Sequence, residues 1–166
     1  MDIPRVSRPF MPGYGIAGPT DGTGLLPWSW ATERLTRSHD YWVATVRPDG
    51  RPHVMPVWGV WDEDAVWFSS SNGARKSRNI AADARCVVTT SDPYEPVVVD
   101  GTAERRAGAE AIARFAQLVN AKYDVDYPVT FYDPAENSVF RVTPNTVIGL
   151  TESDFTGSPT RWSFDA

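Results

Sequence analysis

Three serines and a short basic run hold the residues best suited to chemistry in this chain. Trp67-Phe68-Ser69-Ser70-Ser71 reads as the end of a strand, and Ala74-Arg75-Lys76-Ser77-Arg78-Asn79-Ile80-Ala81 reads as a helix that opens just after it. Hydroxyls, free backbone N–H groups and cationic side chains would meet there at a helix N-terminus, where the dipole already favours negative charge. The local charge is out of keeping with the rest. Ala74 to Arg85 carries four basic residues and one acidic residue, in a chain of formal net charge -5. From the residues alone two readings stand. Either Ser69, Ser70, Ser71, Arg75, Lys76 and Asn79 hold a phosphate, or the arginines decorate a solvated helix face.

Other devices are missing. There is no GxGxxG or Walker pattern after a strand, and no nucleophile elbow for a serine hydrolase. His39 and His53 are the only histidines and do not stand at HExxH spacing, so no metal centre is expected. His53 reads as an ordinary strand residue or as a partner for a cofactor tail. Cys86 is the only cysteine, which rules out an intrachain disulfide and a cysteine-based metal site; it reads as a small buried hydrophobe. Such a set is consistent with a cofactor enzyme, in which the protein binds and orients a group that does the chemistry. No catalytic residue is named.

The elements that must position these residues follow from pattern. Strands are predicted over 41–47, 52–61, 65–71 and 85–92, rich in Val, Trp, Tyr and Thr and separated by Pro48-Asp49-Gly50 and Asp62-Glu63-Asp64. In the second, Val54, Pro56, Trp58 and Val60 share one face, and His53, Met55, Val57 and Trp61 the other. Pro56 removes a ladder donor, so it belongs at an edge, a bulge or a place where something lies against the backbone. A helix is predicted over 27–38, with Trp28, Ala31 and Leu35 on its apolar face. A strand follows over 97–105, in which Gly101 suggests a bulge or a close backbone approach, then a helix over 107–121. Residues 122–137 read as an irregular connection whose Tyr123, Tyr127, Phe131 and Tyr132 form a substrate wall or simply anchor a loop. Residues 138–150 read as a last strand pair or one bent strand, interrupted at Pro144-Asn145. Residues 1–27, rich in Pro and Gly, read as an extended arm, and 151–166 as a tail.

Composition sets the bounds. At 166 residues and 42% hydrophobic, residues 28–166 are read as one domain with a real core. The acidic balance argues against a nucleic-acid partner, and no window approaches a membrane span. An N-terminus without an apolar signal core points to a cytoplasmic protein.

Five segments taken together resemble the split-barrel flavin-binding superfamily that includes pyridoxamine 5'-phosphate oxidase, and more closely its actinobacterial branch of flavin- or deazaflavin-dependent oxidoreductases. They are ATVRPDGRPHVMPVWGVW (44–61), WFSSS (67–71), ARKSRNIA (74–81), VVVDGTAE (97–104) and TRW (160–162), and they are spread across most of the span from residue 28 to 163. The resemblance implies a mainly β (α+β) fold: a six-stranded antiparallel split β-barrel with flanking helices, working as a homodimer with cofactor at the interface. It also implies that Met55, Pro56 and Val57 lie beside the isoalloxazine or deazaflavin ring, and that Arg161 and Trp162 approach the cofactor. FMN ends in a phosphate, whereas coenzyme F420 continues through a phosphodiester into an anionic tail, which Arg78 and Arg51 would suit. The expectation is therefore hydride transfer from reduced F420 to a small conjugated or heteroaromatic substrate. The alternatives are an FMN-dependent enzyme of pyridoxamine-phosphate-oxidase type and a carrier without turnover. One departure stands out. Ala74 occupies a place where the family pattern often has Ser, so Ser71, Asn72 or backbone amides must supply the missing donor.

Overall fold

The computed structural model describes residues 4–164. Its strands are β1 (Arg5–Ser7), β2 (Asp40–Val46), β3 (Pro52–Asp62), β4 (Ala65–Ser71), β5 (Arg85–Thr90), β6 (Val97–Arg106), β7 (Asn137–Gly149) and β8 (Thr160–Ser163). The helices are α1 (Trp28–Arg37), α2 (Arg75–Ala82) and α3 (Ala109–Tyr123), with short 3-10 turns at Val129–Tyr132 and Glu152–Asp154. Six strands close in the order β2-β3-β4-β7-β6-β5 through antiparallel pairings, and β8 and β1 extend the sheet outward from β7. Alternation decides the faces: Tyr41, Val43 and Thr45 of β2 are buried while Trp42 and Val46 face out. On β6, Val97, Val99, Gly101 and Ala103 point inward in the same way.

Three expectations are sharpened or corrected. β7 is one continuous strand through Pro144, and the interruption expected there is a bulge of its own: Asp100 pairs with Thr146 and Gly101 with Pro144, so Asn145 is the extra residue. The bulge follows a residue that cannot donate to the ladder. Gly101 is also needed for space, since a Cβ would lie 2.6 Å from the Thr143 carbonyl oxygen. The N-terminal arm, in turn, is partly regular. β1 pairs with β8, Arg8 donates to the carbonyls of Pro159 (2.7 Å) and Gly18 (2.8 Å), and Thr23 N–H donates to Asp154 (2.7 Å). The arm thus folds along the chain's own C-terminal segment, whose "tail" contains a strand.

The core explains that clasp. Trp162 is fully buried, with the rings of Trp28 at 5.6 Å and Trp30 at 6.3 Å, and α1 buries Ala31 and Leu35 beside them. Gly149 lets the rings approach, for a Cβ there would come 2.5 Å from Trp30. A second cluster packs Ile112, Phe115, Ala116 and Val119 of α3 against Val60 and Trp67 on the outside of the barrel. Cys86 is buried as expected, and burial pushes its thiol up to about 12, which keeps it inert.

Candidate functional site

The barrel opens at one seam. β3 pairs with β2 along residues 52–58, yet it pairs with β4 only where Gly59–Asp62 meets Ala65–Phe68. Past Gly59 and Phe68 the strands part, and Ser69, Ser70 and Ser71 pair instead with Val139, Ser138 and Asn137 of β7. The half of β3 that carries Met55 and Pro56 is therefore a free edge on that side, a place suited to a residue without an N–H. α2 begins where β4 ends, after a turn in which Ala74 N–H donates to Ser71 O at 3.0 Å. Ala74 gives α2 no side-chain cap, so its first N–H groups are open to an anion.

The apex of this fork is held by the last turn of α3, which the sequence pattern ended two residues early. Gly59 N–H donates to Tyr123 Oη at 2.8 Å, and Lys122 Nζ donates to Gly59 O at 2.7 Å. The Tyr123 ring stacks on Trp58 at 4.2 Å, nearly parallel at 4°. Burial lowers Lys122 to about 8 and raises Tyr123 to about 12. This cluster sets the shape of the seam from outside the barrel.

Cations gather at the wide end. Lys76 is half-buried, its Nζ 3.4 Å from Ser70 Oγ, and burial lowers its pKa. His53, on the opposite prong, has its imidazole pKa lowered by burial first and then by the positive fields of Arg47, Lys76 and Arg75. One ring that feels all three charges lies among them. None of Arg47, Arg75 or Lys76 forms an ion pair with a described residue, in contrast to Arg51, held by Asp49 at 2.6 Å, and Arg85, held by Asp83 at 2.6 Å. Moreover, Arg47 Nε and His53 Nδ1 are buried without a hydrogen-bond partner. Buried donors and charges left open are costly unless a ligand completes them. The residues present fit an anionic group.

Most of the expected residues meet at this seam, and some do not. Ser69, Ser70, Ser71, Arg75, Lys76, Met55 and Pro56 surround it. Val57 turns inward and packs in the core. Asn79 does not face the phosphate position: it is fully buried, and its amide donates to Thr45 Oγ1 at 2.9 Å, tying α2 to β2. Arg78 lines a separate cavity with Arg105 on the other flank of α2, so it is not placed to guide a tail from the cradle. Arg51, engaged by Asp49, is likewise taken.

Arg161 and Trp162 sit on β8, which pairs with β7 at residues 146–149, whereas the serines pair at 137–139. From Ser138 to Val147 a strand runs roughly 30 Å. Within one chain these two residues are at the other end of the barrel, and Trp162 has no exposed surface.

Sequence reasoning passed over Arg47 as a site residue and left His53 undecided. A signal existed: the two flank the Pro48-Asp49-Gly50 turn, and the hairpin register Thr45↔His53 with Arg47 N–H to Arg51 O (2.9 Å) brings them to one end of the ladder.

A closed six-stranded barrel that splays at one seam, with uncompensated cations at the opening, defines a split-barrel cofactor-binding fold. Residues 31–150 match the profile of the family described as Pyridoxamine 5'-phosphate oxidase, and the chain belongs to that family. Among solved structures, an F420 reductase is 28% identical with a TM-score of 0.59, the match covering 69% of this chain and 93% of that one. A conserved hypothetical protein from Mycobacterium tuberculosis is 19% identical with a TM-score of 0.67, over 83% of this chain and 85% of its own. A heme binding protein from Mycobacterium smegmatis is 25% identical with a TM-score of 0.56, over 78% of this chain and 60% of its own. None of the curated proteins compared with the chain matches it. Among the described residues, no helix is long and apolar enough to cross a membrane, and no group of three or more His, Cys, Asp or Glu is placed to hold a metal ion.

Proposed function

We propose that this chain is an oxidoreductase that uses reduced coenzyme F420 to deliver hydride to a small conjugated or heteroaromatic substrate. The observation that carries the reading is the convergence of Arg47, Arg75 and Lys76 around His53, none of the three cations being ion-paired to a described residue. That is more positive charge than one terminal phosphate calls for, and it suits a coenzyme whose anionic groups continue beyond a phosphodiester. The 28% identity to an F420 reductase supports the same choice.

The deazaflavin, when bound, supplies the hydride chemistry. The chain's own residues bind, orient and exclude water. Arg75, Lys76, the hydroxyl of Ser70 and the open N–H groups of α2 hold phosphoryl oxygens. Arg47 and His53 take the further negative charge. Met55 and Pro56 present an apolar edge to the ring system, and the Trp58–Tyr123–Lys122 cluster keeps the seam at a fixed width.

The working unit is a homodimer in this reading. Trp42, Val46, Val54 and Trp58 are exposed on one face of β2 and the free half of β3, an apolar strip beside the seam. A second copy of the chain covers it and closes the site. Sedimentation equilibrium checks this, and a monomer at micromolar concentration contradicts it.

Family membership favours a second reading, an FMN-dependent enzyme, and a carrier without turnover is the third. Reduced F420 is mixed with the protein and a panel of enones, quinones and tetrapyrroles. Protein-dependent reoxidation supports the proposal. F420 binding without any reoxidation supports a carrier, and FMN that stays bound through purification supports the FMN enzyme.

A further inference from the structure

α2 has two flanks, and the cradle uses one of them. The other faces β6 and β7 across a cavity of about 430 Å3, lined by Ser77, Arg78, Ile80, Ala103, Arg105 and Phe140, with Asn72 and Ser138 on its wall. We propose that this cavity is a second binding site, for a small carboxylate with an apolar body. It does not depend on the cofactor reading.

The unfilled bonding capacity of the cavity points to such a ligand. Ser77 is 6% exposed, and its hydroxyl is buried with no hydrogen-bond partner. A helical serine ordinarily returns its hydroxyl to a carbonyl one turn back, and this one does not. Arg78 stands at the rim with no ion pair to any described residue. Arg105 directs one nitrogen to Pro134 O at 2.5 Å, leaving its other donors open.

The rest of the polar lining is already satisfied. Asn72 donates to Pro134 O and Ala135 O, both at 3.0 Å, and accepts from Ser138 Oγ at 2.7 Å. What remains is two planar guanidiniums, one buried hydroxyl and a floor of Ile80, Ala103 and Phe140, each nearly fully buried. Guanidinium forks match carboxylate geometry, and a cavity of this size falls in the range of small-molecule sites. A free phosphate would leave the apolar floor uncovered and meet only one hydroxyl. The cradle lies on the opposite flank of the same helix, the flank that Asn79 ties to Thr45 on β2, and the two adjoin where Ser70 pairs with Ser138.

The test is an NMR titration of the full chain with benzoate, 2-naphthoate and octanoate, with the matching neutral amides, and with inorganic phosphate. The carboxylates are expected to saturate, with the largest amide shifts at Ser77–Ala81, Ala103–Arg105 and Ser138–Phe140. The amides bind at least about tenfold more weakly, and Arg78→Ala or Arg105→Ala weakens the carboxylates by a similar factor. Ser77→Ala, a small change in a buried position, costs a few-fold in affinity.

The inference is overturned if no carboxylate saturates, if acid and amide bind alike, if phosphate alone binds here, or if the shifts centre on Arg47, His53 and Lys76. A repeat with F420-saturated protein should give the same carboxylate affinity. Mutual exclusion would show that the cavity is part of the cofactor site and overturn the claim of a second one. Should F420 fail to bind at all, the oxidoreductase proposal falls while the carboxylate titration on the free protein still decides this one.

Discussion

Replacing Lys76 with Met should make the ligand-free protein more stable and the coenzyme complex weaker. Lys76 is half-buried beside Ser70, Arg47 and Arg75 act on the same His53 ring, and none of the three cations is ion-paired to a described residue. Burial lowers its pKa, so the folded chain is a poorer host for the ammonium than the unfolded chain. The sign follows. That cost is present across neutral pH and fades only as pH rises through the lowered value toward 10.5. Methionine keeps most of the apolar stem and removes the charge, so the melting temperature without ligand should rise.

The bound state responds oppositely. One charge-assisted contact to a phosphoryl oxygen is worth about 1.5–3 kcal/mol, which raises Kd by about 10- to 150-fold. At a coenzyme concentration 100 times the original Kd, ligand stabilisation then falls from about 2.7 to about 0.4 kcal/mol for a 100-fold loss. Calorimetric unfolding with and without F420, together with a binding isotherm, reads both effects. A variant that melts lower on its own and binds F420 like the parent would refute the reasoning.

Two further outcomes follow from the same geometry. The His53 imidazole pKa is lowered in the free protein, and an anion beside it must raise that value, so F420 affinity should increase as pH falls through the ordinary imidazole value of 6.5 toward the lowered one. Isothermal titration across pH measures this, and His53→Gln should flatten the slope. Asn79→Ala removes the side-chain donor to the buried Thr45 hydroxyl and should cost about 1–3 kcal/mol in a urea denaturation.

The barrel was legible because its strands alternate cleanly and its turns carry Pro, Asp and Gly. The seam was harder to read. Where β3 stops pairing with β4 depends on Tyr123 and Lys122 reaching Gly59 from a helix more than sixty residues away. No local pattern encodes that contact. Arg47 was overlooked for a related reason, since its neighbours in space come from α2.

Asn79 was misread although helical phase was available: it lies on the stripe that also buries Ile80. Trp162 was assigned by analogy, yet its neighbourhood of Trp28, Trp30 and Gly149 makes it a core ring. The Pro/Gly-rich arm shows a limit of composition as a guide. Those residues forbid helix, but they do not prevent a three-residue strand or a clasp built from Arg8 and Asp154.

Whether the cations at the split seam hold a long anionic coenzyme is decided by a parallel titration of F420 and FMN into the same preparation. F420 should bind at least about tenfold more tightly than FMN, and Arg47→Ala should narrow the gap because its extra charge meets groups FMN lacks. Equal or tighter binding of FMN, or no binding of either, would contradict the F420 reading.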